Sequence, residues 1–278
     1  MRALWTSLRQ HPIALAGHAF VAFSVMWTIT EALNHYFGWG ALKGVAWLIA
    51  MIVGSVSFSI YKIWRPSRVV IGLPMSNVSI EVIFGDIFTQ DGVAAIPVSE
   101  FFDSEIGLPV SANSLHGIFL KQYFGGYGDT FDRQLAERLA NVSVEVVQRQ
   151  QGKTKRFPIG TSAMIDADGQ RFLAFAFTHT DPATCKAYAD VPQMFTALTG
   201  LWGTARTVLG GDALNLPLVG SALSGVGLPA RDLVNIIILS FIDETKRQVV
   251  AHKMRIILTW DRLSEVDLRE VKRFWEAK

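Results

Sequence analysis

Two hydrophobic runs near the beginning of the chain are each long enough to cross a membrane. The first, PIALAGHAFVAFSVMWTIT over residues 12–30, contains no acid or base except His18, and the second, GVAWLIAMIVGSVSFSIYKIW over residues 44–64, is uncharged until Lys62. At about 1.5 Å of rise per residue, a helix of about 20 residues spans a hydrocarbon core of about 30 Å. The short connection between the runs leaves room for a turn but not for a folded domain. We therefore predict a transmembrane helical hairpin within residues 1–68.

The basic residues around this hairpin predict its orientation. Up to Arg68 the chain carries six Lys or Arg residues and one acid, Glu31, a balance of +5, whereas the whole chain is +2, so residues 69–278 carry −3. The bases lie mainly at the two outer ends of the hairpin, and the positive-inside rule places such ends in the cytoplasm. We expect a two-span protein of the cell inner membrane with its N-terminus and C-terminal part both cytoplasmic. Aromatic residues at the ends of the runs are typical of an interfacial belt: Trp5, Tyr36, Trp39, Tyr61 and Trp64.

A cleaved signal peptide is the alternative interpretation of the first run, since ALAGHA loosely resembles a cleavage site. His18 interrupts the apolar region and a second span follows at once, so the hairpin is favoured. Small residues recur within the spans, and their spacing allows helix backbones to approach closely, either within one hairpin or between copies. These residues are Ala14, Gly17, Ala50 and Gly54.

The composition excludes several classes of function. The part after Arg68 has no surplus of basic residues with which to hold a phosphodiester backbone, so nucleic-acid binding is not expected. Cys185 is the single cysteine, which rules out an internal disulfide and a cysteine-based zinc site. We expect no metal and no cofactor.

From residue 69 onward, short apolar runs alternate with longer amphipathic ones. We predict strands at VSIEVIF, GVAAIPV, RFLAFAFTHTD, ALNLPLVG and MRIILTW, helices at TFDRQLAERL, VPQMFTALTGLWGTARTVLGG and PARDLVNIIILSFIDET, and a connecting loop at DADGQ. Alternating strands and helices of this length predict an α/β fold with a layered, largely parallel sheet. Residues 69–278 are therefore predicted to form one cytoplasmic domain.

The segment LPLVGSALSGVGLPARDLV combines a strand, a loop without bulky side chains, and a helix. Ligands of parallel sheets bind at the carboxyl ends of strands, and a bare loop before a helix can bring several backbone N–H groups close to an anion. A diphosphate suits this arrangement. The segment is not a P-loop, because no Gly-Lys-Ser/Thr sequence follows.

Earlier in the chain, VIFGDIF ends a strand with Gly85, Asp86 and Ile87. The order of this motif, the strong strand RFLAFAFTHTD and the late PLVGSALSGVGLP resembles the macrodomain family, which binds ADP-ribose, over residues 69–260. The resemblance implies a three-layer α/β/α domain with a mixed sheet. It also implies that Asp86 accepts a hydrogen bond from the adenine amino group, that Ile87 packs at the base, and that residues 220–227 surround the diphosphate. Taken alone, Asp86 is better explained as a turn acid that caps a strand end.

The chain departs from the family where hydrolytic chemistry is expected. Hydrolytic macrodomains commonly have an Asn-Ala-Ala-Asn stretch followed by glycines, but here Ser99 and Glu100 replace the asparagines and VSANS replaces the glycines. Hydrolysis by the usual arrangement is therefore not expected. The carboxylates Glu100, Asp103 and Glu105 are expected near the distal ribose, where they would receive a positively charged or hydrogen-bonding substituent, or else they are solvated loop acids. His116 and His179 are interpreted as loop or strand-end histidines.

The resemblance implies no catalytic residue and a ligand-binding set whose members are Asp86, Ile87, Ser99, Glu100, Asp103, Ser111, Asn113, Gly220, Ser221, Ala222, Leu223, Ser224, Gly225, Val226 and Gly227.

Two spans followed directly by a macro-like domain resemble the membrane-anchored macrodomain effectors of anti-phage defence, in particular the type II Thoeris effector. That resemblance implies a partner TIR-domain enzyme, a ligand derived from ADP-ribose of the histidine–ADP-ribose type, homo-oligomerisation, and disruption of the lipid bilayer. The alternatives are a membrane-tethered ADP-ribosyl hydrolase and a passive reader that recruits ADP-ribosylated partners.

Overall fold

Two long apolar helices, α1 (Pro12–Phe37) and α2 (Val45–Ile63), form most of the first unit of the structure. The computed structural model describes residues 12–38, 44–74, 76–221 and 225–276. Contacts divide the chain into one unit of Met1–Ser67 with Asp267–Arg269 and a second of Arg68–Val266 with Glu270–Lys278. Several residues used above to predict orientation lie outside the described residues: Arg2, Trp5, Arg9, Trp39 and Lys43.

The two helices pack antiparallel to each other through polar contacts at both ends. The Trp47 indole N–H donates to Thr30 Oγ1 (3.3 Å), and the Ser59 hydroxyl donates to the carbonyl of Leu15 (3.0 Å). Between them, a Cβ placed on Gly54 would lie 3.6 Å from a Met26 side-chain carbon, so this glycine faces α1. Trp47 and Ser59 thus find hydrogen-bond partners within the hairpin, an arrangement suited to an apolar environment.

Both helices are long and apolar enough to cross a membrane, with a mean hydropathy of 1.6 each. Thr30 is the one buried residue of helix α1, and the other residues of the helix are exposed or partly exposed. Helix α1 also continues past Thr30, the predicted end of the first span, as far as Phe37 and includes Glu31 and His35. Polar residues can extend a helix beyond its apolar part.

Within the described ranges, the second unit is built on one eight-stranded sheet and a small two-stranded sheet. The main path runs β1-β2-β10-β9-β3-β7-β6, and β8 also pairs with β7. Strands β2, β10, β9, β3 and β7 are parallel, whereas the edges β1 and β6 and the short β8 are antiparallel. The strands are β1 (Arg68–Gly72), β2 (Ser79–Phe84), β3 (Val93–Ser99), β4 (Glu145–Val146), β5 (Lys155–Arg156), β6 (Ser162–Ala167), β7 (Gln170–Thr180), β8 (Ala187–Tyr188), β9 (Leu214–Pro217) and β10 (Lys253–Leu258).

The central strands are continuous apolar runs because both of their faces are covered. Ala94, Ile96 and Val98 of β3 face α3 (Leu115–Phe124) and α4 (Asp129–Arg138), and they share that core with alternate residues of β7. Helices α5 (Val191–Val208) and α6 (Ala230–Arg247) pack together in the rest of the core, where the Trp202 indole donates to Ser240. The final helix, α7, is Leu268–Glu276. The three-layer fold and its mixed, mostly parallel sheet are as predicted.

The predicted loop DADGQ is wrong in its extent. Asp166 and Ala167 belong to β6, and Gln170 belongs to β7. Only Asp168 and Gly169 form the turn, both with positive φ (50° and 73°), which is the two-residue hairpin connection favoured by the twist of antiparallel strands. Strand β1 was also missed.

Candidate binding cavity

A cavity of about 710 Å³ lies at the carboxyl ends of three neighbouring strands of the sheet, β3, β7 and β9. The loop from Gly107 to Ser114, the first turn of α3 and the connection between β7 and β8 complete its walls. Small-molecule sites typically enclose about 300–1,000 Å³, and ligands of parallel sheets bind at this edge. We therefore take this cavity as the candidate binding site.

The loop before α3 is fixed to the helix by a cap and a close backbone contact. Ser114 accepts a hydrogen bond from the N–H of Gly117 (3.0 Å) and donates its hydroxyl to the carbonyl of Ser111 (2.7 Å). A Cβ at Gly117 would overlap the Ser111 carbonyl oxygen and would lie 3.0 Å from its carbon. Glycine is therefore needed here for close approach, and it sets the position of Ser111 at the cavity wall.

A β-bulge in β7 shifts the alternation of its side chains at the point where β3 and β7 reach the cavity. Val98 pairs with Ala176, but Ser99 pairs with Thr178, so Phe177 is the extra residue. Ser99, Thr178 and Thr180 all line the cavity, whereas His179 does not.

Glu100 is buried next to the cavity but does not line it. Its carboxylate contacts His179 Nδ1 (2.6 Å) and accepts the backbone N–H of Thr180 (3.2 Å). Glu100 thus joins the ends of β3 and β7 and positions Thr180. Its predicted direct contact with a ligand remains a prediction.

Asp103 lines the cavity as half of a fully buried ion pair. Arg149 Nη1 lies 3.0 Å from its Oδ1, and the two side chains are 0% and 2% exposed. The Asp103 carboxylate also accepts from the Ser99 hydroxyl (3.1 Å) and the Lys153 N–H (2.9 Å), and the Arg149 guanidinium stacks 3.9 Å from the Phe101 ring centroid. The charge of Asp103 is therefore largely compensated inside the protein. Glu105, by contrast, is exposed.

Two buried polar atoms of cavity-lining side chains have no hydrogen-bond partner among the described residues. They are Nε2 of His116 and Oγ1 of Thr180, whose residues are 6% and 4% exposed. His116 lies in the first turn of α3 rather than in a loop, and its ring packs 5.7 Å from the Phe131 ring. Burial, together with the positive charge of Lys153, lowers the pKa of His116 to about 3, so this imidazole is neutral at physiological pH.

Lys186 supplies positive charge at the cavity wall. It lies in the connection from β7 to β8 and is exposed, and its ammonium group makes no hydrogen bond or salt bridge within the described ranges. Its charge contributes to lowering the pKa of Asp181, although hydrogen bonds from Thr184 are the main cause. An anionic ligand group would therefore find an available ammonium group here.

The late loop reaches the cavity at Gly220, which has a φ of 81°. A Cβ here would lie 2.7 Å from a Val226 methyl group, and Val226 N–H donates to the Gly220 carbonyl (3.0 Å). The Ser221 hydroxyl donates to the Leu218 carbonyl, and the Ser221 carbonyl accepts from Arg262. The loop is therefore closed by its own bonds at Gly220 and Val226.

Asp86 and Ile87 lie away from the cavity lining. Asp86 is exposed and caps a short 3₁₀ helix (Ile87–Thr89) by accepting the N–H of Phe88 (3.0 Å), whereas Ile87 is buried in the core around α3 and α4. The capping role considered from the sequence is thus what Asp86 performs in this structure. Its contact with adenine remains a prediction.

The structure brings together some of the residues predicted for the site. Those that line the cavity are Ser99, Asp103, Ser111, Asn113 and Gly220. Those that are described but do not line it are Asp86, Ile87, Glu100, Ser221, Gly225, Val226 and Gly227, while Ala222, Leu223 and Ser224 lie outside the described residues. Sequence reasoning did not assign His116, Thr178, Thr180 or Lys186 to the site. The strand RFLAFAFTHT could have indicated the two threonines, because it ends at the correct edge of the sheet.

Within the part of the chain that the structure describes, His, Cys, Asp and Glu side chains form no group of three or more that could hold a metal ion.

The fold is that of a macrodomain. A macrodomain of Oceanobacillus iheyensis solved with ADP has a TM-score of 0.52 and 9% identity, over 77% of this chain and 100% of that chain. The same macrodomain with MES bound gives 0.50 and 9%, over 76% of this chain and 100% of that one. At this identity the likeness establishes the fold alone. No curated protein sequence matches the chain.

A family model narrows the class further. The model of the macro domain of Thoeris protein ThsA matches residues 80–259, which are most of the chain and include every strand of the main sheet except β1 and the start of β2. The chain therefore belongs to the Thoeris ThsA macro-domain family, whose fold is that of an ADP-ribose reader.

Proposed function

We propose that this protein is a membrane-anchored receptor and effector of anti-phage defence. Its macro domain binds an ADP-ribose derivative of the histidine–ADP-ribose type, made by a TIR-domain enzyme. Binding promotes self-association of the helical hairpins, which then disrupt the host membrane. The observation that carries the proposal is the large cavity at the carboxyl ends of β3, β7 and β9 in a chain of the ThsA macro-domain family.

The chemistry of the cavity supports a nucleotide ligand. Its volume of about 710 Å³ suits a molecule of this size, and a related fold has been solved with ADP. Lys186 offers positive charge to a diphosphate, and Gly220 brings the backbone of the late loop to the cavity wall.

The contacts of two buried carboxylates, those of Asp103 and Glu100, support binding without turnover. Asp103 is neutralised by Arg149 and accepts from Ser99 and Lys153, and Glu100 is held by His179 and Thr180. A general acid or base needs access to the reacting group, and neither carboxylate is free to move toward a ligand.

The proposed membrane response requires that ligand binding be coupled energetically to self-association of the hairpins. A ligand changes an assembly only through the difference between its affinities for the resting and active states. Shifting a population from about 1:99 to about 99:1 requires about 5.5 kcal/mol of differential binding. A charged dinucleotide with many polar contacts is suited to provide it, and the apolar outer surface of the hairpin is suited to contact lipid or further hairpins.

Calorimetric titration of the full chain in lipid nanodiscs with ADP-ribose and with histidine–ADP-ribose tests the receptor. The matched variants are Lys186→Glu and Lys121→Glu, since both lysines are exposed but only Lys186 lines the cavity. We expect Lys186→Glu to weaken binding about tenfold or more, because it turns an attraction for phosphate into a repulsion, and Lys121→Glu to bind like wild type. Equal affinities for the two variants would place the anion elsewhere.

Mass spectrometry of the same mixtures distinguishes the receptor from a hydrolase. We expect both nucleotides to be recovered intact, and net product formation would support the membrane-tethered hydrolase instead.

Dye uptake by cells that express the full chain distinguishes the effector from a passive reader. Dye should enter only when the nucleotide signal is also produced, and membranes that stay intact under saturating signal would contradict the effector role.

A further inference from the structure

His116 and Thr180 both line the cavity, and within the described residues His116 Nε2 and Thr180 Oγ1 are buried side-chain atoms without a hydrogen-bond partner. Most buried polar groups in folded proteins have a hydrogen-bond partner, and leaving one without costs free energy. Two such atoms on side chains that line one cavity indicate partners that come from the cavity contents.

Both side chains are held in place by neighbours outside the cavity. His116 follows the capped start of α3 and packs against Phe131. Thr180 is positioned through its backbone N–H by Glu100, which in turn contacts His179. Fixed donors and acceptors recognise a ligand group more selectively than mobile ones, since less ordering is required on binding.

The electrostatic surroundings limit which group can bind here. The charged group that acts on His116 is Lys153, which pairs with Asp132, and the buried carboxylate that lines the same cavity, Asp103, pairs with Arg149. Neither pair leaves a free counter-charge, and His116 itself stays neutral. An ionised ligand group placed against this buried wall would lose its hydration without gaining an opposite charge, whereas a hydroxyl or amide would not.

We propose that His116 and Thr180 form a specificity element that receives a neutral hydroxyl or amide group of the ligand by direct hydrogen bonds. This inference rests on the proposed function and deepens it, because it separates the part of the ligand that contacts this element from the phosphates, which belong near Lys186. The two uncharged ends of an ADP-ribose derivative, its adenine and its terminal sugar with any substituent, share the required chemistry.

The test uses the full chain in nanodiscs, with ADP and ADP-ribose as probes. Thr180→Val removes the hydroxyl and keeps the shape, whereas Thr180→Ser keeps the hydroxyl. His116→Leu removes the imidazole, whereas His116→Gln restores a neutral side chain that can donate and accept. We expect Thr180→Val and His116→Leu to weaken ADP-ribose binding about tenfold or more, and the two conservative variants to stay within about threefold of wild type.

The two probes show which end of the ligand contacts the element. A loss of affinity for ADP-ribose alone assigns the terminal sugar, and an equal loss for ADP assigns the adenylate part. Imidazole ¹⁵N signals give a second measurement, which stays informative if His116→Leu fails to fold. We expect the His116 nitrogen signals to shift when ADP-ribose is added.

Folded Thr180→Val protein with wild-type affinity for both probes, together with unshifted His116 signals, would overturn the inference and leave the proposed function standing. Absence of wild-type binding to any ADP-ribose compound would instead overturn the proposed function, and the inference with it.

Discussion

The side chain of Arg149 is fully buried, and its guanidinium group pairs with the carboxylate of Asp103. Its stacking on Phe101 and its hydrogen bond to the Lys153 carbonyl give it contacts that replace water. The pair attaches the segment around residue 149 to the turn that follows β3. At the residue scale, this ion pair therefore determines where the cavity wall lies.

Replacing Arg149 should be one of the more destabilising changes in the chain. Arg149→Met leaves Asp103 as a buried carboxylate without a counter-ion, which typically costs about 3–5 kcal/mol, so the unfolding midpoint should fall by about 6 °C or more. The control is Arg138→Met, because Arg138 forms an exposed pair with Asp166 and exposed pairs contribute about 0–1 kcal/mol. Thermal unfolding in detergent compares the two, and similar midpoints would contradict this account.

His116 should give the protein a distinct dependence on pH. The pKa of His116 is about 3 in the folded protein and its ordinary value is 6.5. Below pH 6.5 the unfolded chain binds a proton that the folded chain does not, so stability is complete above pH 6.5 and is lost as the pH falls. The loss is about 1.4 kcal/mol per pH unit, or about 2 kcal/mol between pH 6.5 and 5.

His116→Gln should remove this part of the dependence, and the other titrating groups cancel in the comparison. Measured from pH 5 to 7.5, the stability of the wild type relative to the variant should therefore fall by about 2 kcal/mol between pH 6.5 and pH 5. Parallel curves would show that His116 titrates normally.

The site residues illustrate what sequence could and could not predict. Gly220 and Ser99 line the cavity, and both were assigned through the macrodomain resemblance, Gly220 from the late small-residue loop and Ser99 from its place in the family's asparagine stretch. His116 was interpreted as a loop histidine, since its burial depends on Phe131 and on the cap at Ser114, which are tertiary contacts. Lys186 was missed because it lies in a short connection whose approach to the cavity depends on the β7–β8 pairing.

At the scale of elements, two helical glycines with the same backbone conformation make different contacts. Gly117 in α3 meets the Ser111 backbone, whereas Gly203 in α5 has nothing within 4 Å of an added Cβ. Gly203→Ala should raise the stability by up to about 1 kcal/mol through helix propensity. Gly117→Ala should lower it by about 1–3 kcal/mol, because the added carbon forces the Ser111 loop away.

Ligand affinity should fall in Gly117→Ala and stay unchanged in Gly203→Ala, because only the former moves a cavity wall. Thermal unfolding and calorimetric titration of both variants measure the two effects. A stabilised Gly117→Ala with full affinity would show that the loop accommodates the methyl group without cost.

Elements with strong apolar patterns were predicted well from the sequence, and elements with weak ones were not. The strand RFLAFAFTHTD and the helices from Val191 and Ala230 match the structure closely, because burial on both sides leaves continuous apolar residues. The edge strands β1 and β6 alternate between buried and more exposed residues over a few positions. Such short alternation resembles a loop until pairing with β2 and β7 is known.

At the scale of the whole molecule, the charge difference between its two parts predicts which side of the membrane the macro domain occupies. Cys185, the single cysteine, is partly exposed and lines the cavity, so it can report on both location and binding. A membrane-impermeant maleimide should label it in inverted membrane vesicles and not in intact spheroplasts. Saturating ADP-ribose should slow the labelling.

Cys185→Ser provides the control for this labelling, since it removes the only thiol. Labelling of intact spheroplasts would reverse the proposed orientation. Rapid labelling of inverted vesicles at saturating ligand would show that the thiol stays open to solvent while the cavity is filled.

The bulge opposite Val98 and Ser99 has an evolutionary consequence. If β7 kept its length but paired with β3 without the bulge, Phe177 would lie opposite Ser99 and every residue behind it would exchange faces. The imidazole of His179 would then face the cavity in place of the hydroxyls of Thr178 and Thr180. A relative could in this way acquire a titratable group in its cavity through a change of strand register, with no substitution in β7.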